Sequence, residues 1–254
     1  MMKVIPLSDK AHALIIFTTL VLVTVITMIA ATGVVIVTPV IIGDLALSQN
    51  LSLWITTGYL IAIASTVPCS IYVAEKFGYK STFIAGTLAY AIFSCISGLA
   101  NNFAIFILFR LLSGVGVGII FPITLPILSQ LFPPKYQGLM LAIYSALGFG
   151  GGTMIGFFAG GIIAQYYDWN WIFMIDALIG VPLAGVVALF LRPHNRRPVG
   201  GFDFKGYFLF VVFAASIVSL LATAKAPWNT ESWSSPFSIT CLILAITSFV
   251  SFII

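Results

Sequence analysis

Eight long apolar runs dominate the sequence, and the charged residues fall almost only in the short segments between them. A helix needs roughly 20 apolar residues to cross the hydrocarbon core of a bilayer, and these runs are long enough. Because lipid offers the backbone no hydrogen-bond partners, a spanning segment must be a helix or a strand of a closed barrel. The runs are continuous rather than alternating, which excludes barrel strands. The sequence therefore predicts an all-α integral membrane protein.

The first run is too long for the core of a signal peptide and no small-residue cleavage site follows it, so we expect it to remain as a span. Charged residues make up 7% of the chain, against about 25% in soluble domains, which agrees with lipid as the main solvent. We expect the chain to end within the eighth span. The predicted spans are 14–38, 51–74, 81–100, 103–130, 137–165, 169–191, 205–223 and 236–254.

Basic residues orient the spans. With the N-terminus inside, nine of them fall on one side, Lys225 alone falls on the other, and Arg110 lies within a span. This is the positive-inside pattern, and it predicts a membrane protein with a cytoplasmic N-terminus rather than a nucleic-acid binder. The nine are Lys3, Lys10, Lys76, Lys80, Lys135, Arg192, Arg196, Arg197 and Lys205. Tryptophans mark the predicted outer ends, where aromatic rings favour the headgroup level: Trp54, Trp169, Trp171, Trp228 and Trp233.

The longest charged connector divides the chain into two parts. It carries two prolines and two glycines between the sixth and seventh spans, which is typical of a linker. We predict a six-helix domain at 1–191, a cytoplasmic linker at 192–204 and an additional transmembrane hairpin at 205–254. Six helices before a boundary suggest one half of a transporter, built from two three-helix repeats of inverted topology.

Common enzyme motifs are absent from the sequence. The sequence has no phosphate-binding loop, no zinc-binding His-Glu-x-x-His helix and no nucleophile elbow. Cys69, Cys95 and Cys241 lie singly within predicted spans, without metal-ligand spacing. We therefore expect no enzymatic activity, no cofactor and no metal site.

Four segments carry further information, in this order along the chain. The first is a charged loop between spans two and three, and the second is a span-four segment with an arginine, two glycines and a proline. The third is a glycine-rich stretch of span five, and the fourth is the start of span six, from Trp169 to Asp176. Their key residues are Glu75, Lys76, Gly78 and Lys80; Arg110, Gly114, Gly116 and Pro122; Gly148, Gly152, Gly156, Gly160 and Gly161; and Trp169, Trp171 and Asp176.

Together these segments resemble the fourteen-span drug:proton antiporter branch of the major facilitator superfamily. Five positions depart from that pattern. Ile71 stands where the family usually has glycine, Tyr79 replaces an arginine, Phe157 replaces a proline and Asp176 replaces an asparagine. The acidic residue that many relatives carry in span one is missing from the stretch 29–33.

The resemblance implies a secondary transporter of the bacterial inner membrane that exports small hydrophobic or amphipathic organic compounds, with protons as the coupling ion. It also implies six further spans beyond these eight, which would form the second half of the substrate pathway. The alternative is a non-transporting remnant or a membrane interaction subunit that needs a separately encoded second half. A membrane-embedded enzyme is a more distant alternative.

Arg110 and Asp176 are the candidate transport and proton-coupling residues. A charge at the centre of a span costs about 2.5 to 3.5 kcal/mol on insertion scales, so Arg110 should face a cavity or a partner. It could hold a substrate carboxylate or act on a proton-binding acid; alternatively it snorkels outward or caps backbone carbonyls. Asp176 could carry a proton, or it could be a near-interface acid that water reaches.

The other candidate segments have structural alternatives too. Gly148, Gly152, Gly156 and Gly160 recur every four residues, which predicts a face where a neighbouring helix packs closely; the resemblance adds an antiporter segment that includes Gly161. The Glu75–Lys80 loop resembles a cytoplasmic gating loop that latches helix ends. It could equally be a charged turn that holds positive charge inside.

Overall fold

The computed structural model describes residues 7–192, 200–224, 226, 229 and 232–253. In this part of the chain, eight helices are long and apolar enough to cross a membrane. A short 3₁₀ turn, Ser232–Ser234, precedes the last of them. The helices are α1 (Leu7–Asp44), α2 (Gln49–Phe77), α3 (Tyr79–Gly98), α4 (Phe103–Leu131), α5 (Pro134–Tyr166), α6 (Trp171–Phe190), α7 (Phe204–Thr223) and α8 (Pro236–Ile253).

Residues with short polar side chains, located between the apolar runs, cap the N-termini of several helices. Ser48 accepts a hydrogen bond from the Leu51 amide at the start of α2, and the Asn102 side chain accepts one from the Ile105 amide, at 2.9 Å, at the start of α4. Such caps satisfy amides that have no partner in the first turn of a helix. They set the boundaries that the apolar runs predicted to within a few residues.

Two spans differ from the prediction in an informative way. α1 continues to Asp44, six residues beyond the predicted end, with Pro39 inside the helix. Proline is tolerated there because neighbouring groups in a membrane bundle can satisfy the freed carbonyl. α5 contains a π-helical segment, Ser145–Gly151, which apolar patterning could not reveal.

The helix pairings show two repeats of three helices. α1 packs against α5 and α6, α4 packs against α2 and α3, and α3 packs against α6. Exchanging the first three helices with the second three converts the α1–α5 pair into α4–α2 and the α1–α6 pair into α4–α3. This is the arrangement of an inverted repeat.

The hairpin α7–α8 lies beside this bundle, where α7 packs against α2. The predicted linker at 192–204 falls partly outside the described residues, at 193–199. The division of the chain at that linker therefore remains a prediction.

Two hydrophobic clusters fill the six-helix bundle. One includes Ile16, Tyr59 and Val187 and lies toward the end where α1 begins. The other includes Ile41 and Phe173 and lies toward the end where α1 finishes. The candidate site lies where these clusters meet: its Tyr59 and Tyr90 belong to the first cluster, and Phe173, which lies beside Arg110, belongs to the second.

Candidate functional site

Arg110 lies inside the bundle, with 1% of its surface exposed. Its guanidinium carbon is 3.8 Å from the centre of the Tyr59 ring on α2 and 5.3 Å from the centre of the Phe173 ring on α6. Its Nη2 group donates to the Ala30 carbonyl of α1 at 3.3 Å. This burial contradicts the alternative that Arg110 snorkels outward, whereas the bond to Ala30 agrees with the alternative that it donates to a backbone carbonyl.

The glycines of the span-four segment allow this arrangement. A Cβ atom at Gly114 would lie 3.0 Å from the Tyr59 carbonyl oxygen, so α2 approaches α4 at backbone distance. A Cβ atom at Gly116 would lie 2.6 Å from the Tyr90 amide nitrogen, so α3 does the same on another side. The motif thus places Tyr59 and Tyr90 against the helix that carries Arg110. Pro122 lies six residues beyond Gly116 on α4 and is partly buried.

Asp176 is fully buried between α6 and α3. Ser94 donates a short hydrogen bond to its Oδ2 atom. The Tyr90 hydroxyl, which donates to the Ile26 carbonyl of α1 at 3.1 Å, also lies close to the carboxyl group. The alternative of a near-interface acid that water reaches is therefore wrong, because none of the Asp176 surface is exposed.

Arg110 and Asp176 belong to one group of side chains, which sequence reasoning had treated separately. Phe173, which faces the guanidinium, precedes Asp176 by three residues on α6, and residues at that spacing share a helix face. The buried polar cluster consists of Tyr59, Tyr90, Ser94, Arg110 and Asp176. Sequence reasoning missed Tyr59, Tyr90 and Ser94, because single tyrosine and serine residues in apolar spans carry no distinctive pattern.

The cluster contains hydrogen-bonding groups without partners among the described residues. They are Nε and Nη1 of Arg110, Oδ1 of Asp176 and the hydroxyl of Tyr59. Buried polar groups are nearly always paired, so each exception calls for a physical reason. No hydrogen bond joins Arg110 to Asp176, although one residue has spare donors and the other a spare acceptor.

The α5 glycines face α1. A Cβ atom at each of four positions would approach atoms of α1 to 3.0 Å or less. Gly161, which the resemblance groups with them, differs: a Cβ atom there meets nothing within 4 Å. The packed face therefore excludes Gly161 and comprises Gly148, Gly152, Gly156 and Gly160.

The charged loop lies at the other end of α2 from Ser48. Gly78 joins α2 to α3 with a φ of 98°, a conformation that glycine adopts without steric cost. The Lys76 ammonium lies 5.7 Å from the centre of the Tyr72 ring and 5.6 Å from that of Phe77. The pairing of Glu75 with Lys80 or a helix end stays a prediction.

The tryptophans predicted to lie at the outer ends of the helices differ in their exposure. Trp171 and Trp233 are 46% and 52% exposed, as expected for rings at the headgroup level. Trp169 is 4% exposed and packs edge to face on Phe106, with its Nε1 group donating to Asp44 at 2.8 Å. It therefore ties α1 to the start of α6 instead of facing lipid. Trp228 lies outside the described residues.

No group of three or more His, Cys, Asp or Glu side chains that could hold a metal ion occurs in the described part of the chain. The buried polar cluster contains one cation, Arg110, and one acid, Asp176, among hydroxyl groups.

Comparisons with known proteins agree with this architecture. The family model "Major Facilitator Superfamily" matches residues 20–254. The multidrug transporter protein MdtP of Bacillus subtilis (strain 168) is 30% identical over 216 residues, 85% of this chain and 39% of MdtP. The tetracenomycin C resistance and export protein of Streptomyces glaucescens is 31% identical over 225 residues, 87% of this chain and 40% of that protein.

A solved structure shares the fold. It is the crystal structure of a bacterial homolog to the human lysosomal transporter Spinster, in an inward-facing, unoccupied conformation. It superposes with a TM-score of 0.65 at 18% identity, over 95% of this chain and 61% of that one. The chain spans about two fifths of the length of the curated relatives it matches. It belongs to the Major Facilitator Superfamily, and its first six helices have the fold of an N-terminal half of that family.

Proposed function

We propose that the chain forms the N-terminal half, with two additional spans, of a proton-coupled exporter of small hydrophobic or amphipathic organic compounds. Two of its relatives are a multidrug transporter and a tetracenomycin C resistance and export protein, which supports this class of substrate. The observation that carries the proposal is the buried Arg110, which contacts α1, α2 and α6 at once. A charge kept at such a position despite its cost is best explained by a task.

Arg110 acts as a fixed positive charge within the bundle. Aromatic rings lie over the guanidinium from two sides, so a bound substrate has no direct path to it in this conformation. That favours action on an acid inside the bundle over direct capture of a substrate carboxylate.

The remaining parts have supporting roles in this proposal. The α5 glycine face holds α1 and α5 together as one rigid unit, and the Glu75–Lys80 loop acts at the cytoplasmic side. Export requires a second six-span half, since rocking of two halves around a central site is how such transporters alternate access. We place the protein in a bacterial inner membrane with its N-terminus in the cytoplasm.

The test supplies the chain with a second half and measures export from everted membrane vesicles. The probes are tetracenomycin C, the compound for which one relative is a resistance and export protein, and ethidium, a fluorescent hydrophobic cation. Arg110→Ala should insert and express like the parent but reduce proton-driven export to the level of empty vesicles. Arg110→Lys should recover part of the activity if positive charge suffices, and little if the planar guanidinium is required.

Two results would contradict the proposal. Export by Arg110→Ala at the parent's rate across the pH range would remove the role of Arg110. Absence of export by the parent, with both halves present and correctly inserted, would favour the non-transporting alternative.

A further inference from the structure

We propose that Asp176 is the residue that binds the coupling proton, and that its proton decides whether it pairs with Arg110. This inference rests on the proposed function and names the group through which that site is regulated. It starts from the unmatched hydrogen-bonding atoms of the buried polar cluster.

Those atoms are complementary. Arg110 has two N–H groups, on Nε and Nη1, without a partner, and Asp176 has one free carboxyl oxygen, Oδ1. An ionised carboxylate and a guanidinium form short, strong, often bidentate hydrogen bonds when they meet. The two groups form no hydrogen bond with each other, and a proton on Asp176 accounts for this because it removes the charge attraction.

The surroundings single out Asp176 as the group that can exchange a proton. Among the described residues, the charged or titratable side chains near it are Tyr90 from α3, Arg110 from α4 and Tyr59 from α2. α1 contributes the backbone carbonyls of Ile26 and Ala30 to the same cluster. Arginine stays protonated and tyrosine stays neutral across the working range of a cell. The carboxyl group is therefore the one member whose charge changes.

Ser94 is a positioning residue for this proton. Its hydroxyl donates to Oδ2 of Asp176, which leaves Oδ1 as the oxygen that carries the proton or accepts from Arg110. Both states thus keep the Ser94 hydrogen bond. The difference between them lies only in the contact between α6 and α4.

The switch changes the relation between helices. Asp176 is held by α3 and α6, whereas Arg110 is held by α4, α1 and α2. When the carboxylic acid releases its proton to one side of the membrane, the carboxylate draws the guanidinium toward α6. When a proton returns from the other side, the pair separates again. One proton bound and one released per cycle balances the step.

Infrared spectroscopy of the purified chain tests the proton site without a second half. A protonated carboxyl group has a carbonyl band distinct from carboxylate bands and sensitive to hydrogen bonding. The parent should show such a band, reversibly removed as the pH is raised. Asp176→Asn should lack it, and Asp168→Asn, which changes an exposed acid, should retain it. The chain has seven acidic residues, so the difference spectrum is simple.

Two further variants keep the test decisive should Asp176→Asn fold poorly. Ser94→Ala keeps the acid but removes its donor, so the carbonyl band should move while its titration persists. Arg110→Gln removes the partner charge and should displace the pH at which the band disappears. A parent spectrum without a titrating buried carboxyl, or a band unchanged in both variants, would overturn the proposal.

Transport assays distinguish the failure of this inference from the failure of the exporter proposal. With a second half supplied, Asp176→Asn should lose proton-driven export, yet still exchange substrate down its own gradient. Proton-driven export by Asp176→Asn at the parent's rate would overturn the inference and leave the exporter proposal standing. Absence of export by the parent would overturn the exporter proposal, while the infrared result would still decide whether Asp176 binds a proton.

Discussion

The guanidinium carbon of Arg110 lies 3.8 Å from the centre of the Tyr59 ring, whose hydroxyl has no partner among the described residues. The ring face, rather than the hydroxyl, is thus the stabilising feature. Tyr59→Phe should keep or slightly raise stability, because it removes an unsatisfied buried hydroxyl. Tyr59→Leu should lose a desolvated cation–π contact of about 2 kcal/mol.

Thermal unfolding of the purified variants in detergent measures this difference. An equal loss of stability in Tyr59→Phe and Tyr59→Leu would show that the hydroxyl matters more than the ring. Arg110→Gln combined with Tyr59→Leu should destabilise less than the sum of the single changes, since both remove the same contact.

Close packing between α1 and α5 should make Gly156 intolerant of any side chain. A Cβ atom there would overlap the Thr32 hydroxyl and approach the Ile29 Cα atom to 3.0 Å. Gly156→Leu should therefore reduce folded yield and lower the unfolding midpoint. Gly161→Leu, in the same helix but facing open space, is the matched control and should behave like the parent. Equal stability of the two variants would exclude close packing at Gly156.

The contact between α3 and α4 should tolerate an added side chain even less than the contact between α1 and α5. A Cβ atom at Gly116 would lie 2.6 Å from the Tyr90 amide nitrogen and 2.8 Å from the Gly86 carbonyl oxygen. Backbone cannot yield as a flexible side chain can, so even Gly116→Ala should cause a large loss of folded protein on size-exclusion chromatography. Gly185→Ala, a helical glycine with open space around it, should have little effect. A normal elution profile for Gly116→Ala would contradict the helix spacing described here.

The orientation predicted from charge can be tested by cysteine labelling. In a background with the three native cysteines replaced, cysteines at Ser48 and Asn101 should react with an impermeant reagent in intact cells. A cysteine at Lys135 should react only after the membrane is opened. All three positions are exposed, so reactivity reports sidedness. Labelling of position 135 from outside would reverse the assignment.

The sequence by itself determined the number of spans, their approximate ends and the all-α class. These follow from the length of apolar runs and from the absence of backbone partners in lipid, which are properties of local segments. The spacing of Gly148, Gly152, Gly156 and Gly160 likewise predicted a packed face, because four-residue spacing maps to one side of a helix whatever its neighbours. The polar caps Ser48 and Asn102 are local signals of the same kind.

Only the tertiary structure decided which residues meet. The separation of positions 110 and 176 along the chain does not predict that they are close in space. Gly116 lets α4 pack against α3, and Ser94 of α3 bonds to Asp176 of α6, so the three helices place Arg110 and Asp176 in one cluster. No periodicity in the sequence encodes these contacts. The burial of Arg110 and Asp176, and of Trp169 against Phe106, also depends on which helix covers each face. Local apolar patterning cannot distinguish a face turned to lipid from one turned to another helix, because both are apolar.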